Sequence, residues 1–159
     1  MMAETHIAAE LHAEHMATLA LLGRLDALLG RNGPENPPEA ASPPVAALLR
    51  DFANAVTREI ATHFGFEENA LFPLLDQPAM TALLIEEHAA LLPMARDLAA
   101  RARGFDPAGW AGFHADAAAL STALAAHVEK EEMGLLPALD DALDAETDAR
   151  LSMDYAAQR

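Results

Sequence analysis

Apolar residues recur at three- and four-residue intervals from residue 4 to residue 29, the spacing of a helix with one buried face. The first interruption is "GRNGPENPPEAASPP", where Gly and Pro forbid a continued helix, so residues 30–42 read as a loop. A second helix is expected from Ser42, an N-cap followed by Pro43 at the first helical position, to about Asp76. A third begins near Pro78 and fades at Arg103 and Gly104, and Pro93 inside it should remove a hydrogen bond and kink it. Asp106-Pro107 repeats the cap-then-proline signal and opens a fourth helix to about Asp140. The tail "DAETDARLSMDYAAQ" reads as a short fifth helix. Four long helices with short connections predict an all-α, antiparallel up-down-up-down four-helix bundle over residues 4–140, with a C-terminal tail 141–159, in one domain 1–159.

Composition agrees with this pattern. The chain is rich in Ala and Leu and poor in β-branched residues, which suits helices and not a strand-based core. Its 159 residues suffice to bury roughly two thirds of the surface that the unfolded chain exposes. Acidic side chains number 25 against 10 basic ones, a formal charge of -15 that opposes nucleic acid and anionic lipid as partners. The surplus is the ordinary solvated surface of a small soluble protein and does not by itself point to metal. Cysteine is absent, which excludes disulfides, thiolate metal sites and Cys nucleophiles. The start "MMAETHIAAELHAEH" has neither a basic nor an apolar leader segment, and no apolar run is long enough to span a membrane. A cytoplasmic location is expected.

Two segments break the amphipathic pattern in the same way. "HFGFEENALFPLLD" (63–76) is answered 64 positions later by "HVEKEEMGLLPALD" (127–140), pairing His63 with His127, Glu67 with Glu131, Pro73 with Pro137 and Asp76 with Asp140. Each is preceded by a Glu-His pair, Glu14-His15 and Glu87-His88, so the chain reads as a duplicated helical hairpin. Residues at i and i+4 share a helix face, and Leu71 and Leu135 continue the two His–Glu rows inward. His15 lies between Leu11 and Leu19, and His88 between Leu84 and Leu92. At 1.5 Å rise per residue, His63 and His88 fall within roughly 5 Å in height along the second and third helices. Four histidines and two glutamates therefore converge on the bundle axis.

A single His-x3-Glu is ordinarily a surface hydrogen-bonded pair, and a single inward His an ordinary core residue. Two copies in register, each joined by a further inward His, would leave six buried polar groups unsatisfied without a metal. Imidazole and carboxylate together suit Fe, Mn or Zn. The order His, His-x3-Glu, His, His-x3-Glu, with "LFP" and "LLP" after the glutamates, resembles the hemerythrin-like HHE cation-binding domain family over residues 10–140. The resemblance implies a non-haem di-iron centre in a four-helix bundle. It implies His15, His63, Glu67, His88, His127 and Glu131 as ligands, with Glu67 and Glu131 bridging two Fe ions. The Glu-x-x-His motif of the ferritin-like di-iron class is missing from the second and fourth helices at this site.

One departure bears on function. Oxygen-carrying hemerythrins have a further histidine one turn beyond the third-helix ligand, where this chain has Leu92 and then Pro93. Of about twelve positions on two octahedral ions, the six residues and a shared oxo or hydroxo bridge leave about two open. Glu59, one turn before His63, is a further candidate: a seventh ligand, a partner of a ligand, or a satisfied acid near the bundle end. His12 reads as solvated or as a partner of a ligand, and His6 and His114 read as surface residues. The expected function is binding or sensing of a small diatomic or peroxide ligand, O2, NO or H2O2. Redox turnover in peroxide or NO detoxification, donation of iron to damaged iron centres, and a metal-free interaction bundle are the rivals.

Overall fold

Every regular element among the described residues, 4–159 of a computed structural model, is helical. Residues 1–3, which the predicted domain 1–159 and the reading of the N-terminal segment include, lie outside the described residues. The first helix, α1 (His6–Arg31), ends two residues later than the pattern suggests. Thr5 caps it by accepting the Ala8 N–H. Carboxylates from the far end of the chain satisfy the other free donors at this end. Asp140 accepts from Thr5 N–H at 2.9 Å, and Asp148 accepts from His6 and Ile7 N–H at 2.8 and 2.9 Å.

The second helical run comprises α2 (Pro43–Asn54), a π-helical turn Ala55–Ile60, α3 (Ala61–Phe66), a second π turn Glu67–Leu71 and a 3₁₀ turn Phe72–Leu74. Ser42 stands at the N-cap, but its side chain makes no capping bond; the start rests on Pro43, whose fixed φ suits a first helical turn. Next, α4 (Pro78–Arg103) passes through Pro93 without ending. Asp106 accepts the Ala108 N–H at 3.0 Å and opens the 3₁₀ turn Pro107–Gly109, which leads into α5 (Trp110–Lys130). A π turn Glu131–Leu135 joins this to α6 (Leu136–Ala142), and α7 (Ala145–Ala156) occupies the tail, capped by Asp144 on Thr147 N–H.

The sequence repeat extends to the backbone. Both His-x3-Glu motifs lead into a π turn that starts at the glutamate, and the N–H groups of Phe72 and Leu136 reach back five residues to the Glu67 and Glu131 carbonyls. Pro73 and Pro137 supply a cause. A proline ring inside a helix collides with the carbonyl four residues earlier, here those of Asn69 and Met133, and widening the turn relieves the collision. The π turn at Ala55–Ile60 has no such proline and no counterpart in α5.

The core is divided in two. One cluster centres on Phe52, Leu98, Trp110, Phe113 and Leu120, and Trp110 also donates its indole N–H to the Gly33 carbonyl, which ties down the Pro-rich loop. The other contains Ile7, Leu11, Phe66, Leu71, Leu135 and Tyr155. On each long helical run a motif histidine falls where one cluster gives way to the other: His15 lies between Leu11 and Leu22, and His88 between Leu84 and Leu91.

Candidate metal centre

All six motif residues are buried, and Glu67 and Glu131 are both 0 % exposed. The helix register brings their side chains together as the i, i+4 geometry requires. His63 Nε2 lies 2.9 Å from Glu67 Oε1, and His127 Nε2 lies 2.8 Å from Glu131 Oε1. His15 Nε2 approaches His63 Nε2 at 3.2 Å, and His88 Nε2 approaches His127 Nε2 at 3.1 Å. The carboxylates span the two histidine pairs. Glu67 Oε2 is 3.3 Å from His88 Nε2, while Glu131 Oε2 is 2.9 Å from His15 Nε2. His15, His63, Glu67 and Glu131 form one group able to hold a cation, and His88, His127 and Glu131 form a second.

The outer nitrogen of every ring is also held by a carboxylate. His63 Nδ1 meets Glu14 at 2.7 Å, His127 Nδ1 meets Glu87 at 2.7 Å, His15 Nδ1 meets Glu132 at 2.6 Å and His88 Nδ1 meets Glu68 at 2.8 Å. The first pair lies within each hairpin and the second pair crosses between hairpins, so the outer contacts obey the duplication too. In a neutral ring the carboxylate takes the Nδ1–H, which turns the lone pair of Nε2 toward the centre. Four such nitrogens and two carboxylates then face one another without donors between them. Both oxygens of Glu67, and Oε2 of Glu131, have no aligned hydrogen bond despite their short distances to the rings. A cation with N and O ligands fits that donor set.

The same crowding governs protons when no cation is present. Burial disfavours a charged His63, but the Glu67 charge and contacts with Glu131 and Glu14 outweigh it and raise its pKa well above the ordinary value. Burial likewise opposes a charged His88, yet Glu131 and Glu67 push it up to about 9. For Glu131, burial works against ionisation, while contacts with His127, His15, His63 and His88 hold its carboxyl well below the usual range.

A model of the Hemerythrin HHE cation binding domain matches residues 6–139. The chain belongs to that family. Comparison with curated proteins gave no match, and comparison with solved structures gave none. The HHE match takes in all six motif residues and stops short of α7.

The structure sorts the remaining sequence expectations about this HHE centre. Glu59 is exposed and outside both cation groups. His12 bonds through Nδ1 to Glu132 at 2.8 Å, on the carboxylate that holds His15, and so is not merely solvated. His114 is half-buried against Trp110 and donates Nε2–H to the Leu29 carbonyl at 3.0 Å, whereas His6 is on the surface as expected. Leu92 packs against the core cluster containing Trp110.

The four outer glutamates were missed as functional residues, although the repeated dipeptides Glu14-His15, Glu87-His88, Glu67-Glu68 and Glu131-Glu132 carried their signal. Tyr155 was missed as well. It is fully buried on α7, stacks on Phe66 at 4.5 Å between ring centroids and donates its hydroxyl to Glu14. Burial and the neighbouring Glu14 carboxylate raise its pKa far above the ordinary phenol value. Arg159 pairs with Glu14 and Glu10 at 3.1 and 3.0 Å, so the tail anchors the Glu14 side, while Lys130 pairs with Glu87 on the other. A cavity of about 750 Å³ reaches His15, His63, His127 and Glu131 from the surface, with Glu59 at its rim. His88 is covered by Phe64, stacked at 3.9 Å and 9°.

Proposed function

We propose that this chain holds a non-haem di-iron centre and binds or senses O2, NO or peroxide there. His15 and His63 would serve one ion, His88 and His127 the other, with Glu67 and Glu131 bridging. One observation carries the reading: two fully buried carboxylates each direct oxygens at both histidine pairs, with three of those oxygens lacking an aligned hydrogen bond. Bound iron would supply open coordination positions and redox chemistry; Mn or Zn could be held by the same donors.

The chain's own residues prepare that site. Glu14, Glu68, Glu87 and Glu132 fix ring orientation and keep the Nδ1 protons outward, as carboxylates behind metal-binding imidazoles do. Phe64 excludes water from the face of His88, and the cavity leaves the other three histidines reachable. The core order supports the antiparallel up-down-up-down bundle as part of the same reading. Along α1 and α4 the Tyr155 cluster precedes the Trp110 cluster, and along the second and fourth helical runs the order is reversed. A cytoplasmic location belongs to the proposal; among the described residues no helix is long and apolar enough to cross a membrane.

The test is an absorption spectrum of iron-loaded protein, first without air and then after separate additions of O2, NO and H2O2. At least one ligand should shift the spectrum in the wild type and not in metal-free protein. Iron-loaded protein that responds to none of the three would overturn the ligand-binding function while leaving the metal site in place.

A further inference from the structure

The cavity beside the histidines is far larger than a diatomic ligand needs. Its volume is about 750 Å³, whereas one water in liquid takes about 30 Å³. Sites for small organic molecules run to roughly 300–1,000 Å³. Ala17, Ile60, Leu124 and Val128 give it apolar walls, and Thr18 and Thr57 lie on its lining. Glu131 lies at its inner end, with a buried oxygen that accepts no aligned hydrogen bond.

Charge narrows the ligand. Glu10 and Glu14 in the wall are paired with Arg159, and Arg58 and Glu59 offset each other at the rim. Outside the metal-ligand set the lining's carboxylates outnumber its guanidinium groups, so the walls that would hold the body of a ligand offer an organic anion no net positive charge. The cavity also departs from the internal repeat. One wall is the π turn Ala55–Ile60, and another is the end of α7 with Tyr155 and Arg159; neither has a counterpart in the second hairpin. Widened helical turns of this kind recur at functional sites.

We infer that the cavity binds an uncharged organic molecule with an apolar body and a single O–H head, an alcohol or a hydroperoxide, with the head toward Glu131 and the histidines. The inference deepens the metal-centre reading, since the head lies where the ligands converge. Only binding is claimed.

Equilibrium dialysis of the full, metal-loaded chain against 2-phenyl-2-propanol tests it, with metal content measured in the same samples. Ala17 lines the cavity two residues after His15, and Ala90, two residues after His88, does not. Wild type and Ala90→Trp should bind the alcohol saturably. Ala17→Trp, and independently Thr18→Trp, should bind at least about tenfold more weakly, equivalent to about 1.4 kcal/mol, with metal content unchanged. Absence of saturable binding by the wild type overturns the inference, as does equal binding by the wild type and both cavity variants when circular dichroism shows all of them folded. Saturable alcohol binding by a chain that takes up no metal upholds the cavity and contradicts the metal centre, so the two readings fail separately.

Discussion

Replacing Glu67 with glutamine should make the metal-free protein more stable and the metal-loaded protein less so. The carboxylate is 0 % exposed, 2.9 Å from His63 Nε2 and 3.3 Å from His88 Nε2, and neither oxygen has an aligned hydrogen bond. Glutamine keeps the shape, removes the charge and offers an N–H to whichever ring nitrogen is unprotonated. In metal-free protein compared at pH 10, above the value of about 9 to which Glu131 and Glu67 push His88, that ring has already shed its proton, so the variant forfeits no ion pair with it. A buried polar group left unsatisfied costs about 1–3 kcal/mol. For a chain of this size each kcal/mol shifts the melting temperature by about 2–4 °C, so the metal-free variant should melt about 2–12 °C above the metal-free wild type. A carboxamide is a poorer ligand than a carboxylate, so iron should raise the variant's melting temperature less than the wild type's. Calorimetry with chelator and with iron reads both effects. A metal-free variant that melts at or below the wild type, together with an equal iron-induced shift, would refute the reasoning.

Other expectations follow from the same geometry. His63→Ala should lose more bound metal than His114→Ala or Glu59→Ala, because the latter two lie outside both cation groups; equal metal content by mass spectrometry contradicts the ligand assignment. Tyr155→Phe removes a hydroxyl bonded to Glu14 and should cost about 1 kcal/mol in denaturant unfolding while most of the metal stays bound. Loss of all metal would mean that Tyr155 does more than brace Glu14. In metal-free protein, His88 is raised from its ordinary 6.5 to about 9. Its stabilising contribution is therefore complete below pH 6.5 and is lost as pH rises through about 9. Metal must displace the same protons, so metal affinity should rise over this interval. A melting temperature of metal-free His88→Phe that falls with pH as steeply as the wild type's would show that His88 is not the group responsible.

The site was legible where chemistry and helix periodicity coincide. His63 with Glu67, and His127 with Glu131, lie one turn apart in sequence and remain on one face in the structure because α-helical turns join each pair. The same arithmetic put Glu59 on the inward face, whereas it is exposed, and nothing local distinguishes "AVTREI", a π turn, from an α-helical segment. At Ser42 the proline rather than the serine side chain carried the helix start. Contacts between distant elements were out of reach of periodicity. Glu132 holds His15 across 117 positions, and Tyr155 reaches Glu14 across 141. The tail's helicity was readable from its cap and apolar spacing, but its docking beside the site depends on packing against Phe66 and on Arg159 pairing with Glu10 and Glu14.

The central claim is that Glu67 and Glu131 hold two ions between the histidine pairs. Metal content of the purified, iron-loaded chain, measured by mass spectrometry against protein concentration, tests it most directly. Two bridging carboxylates require about two ions per chain, and both should be lost or reduced in Glu131→Ala. One ion or none in the intact chain, with all six residues unmodified, would contradict the dinuclear centre.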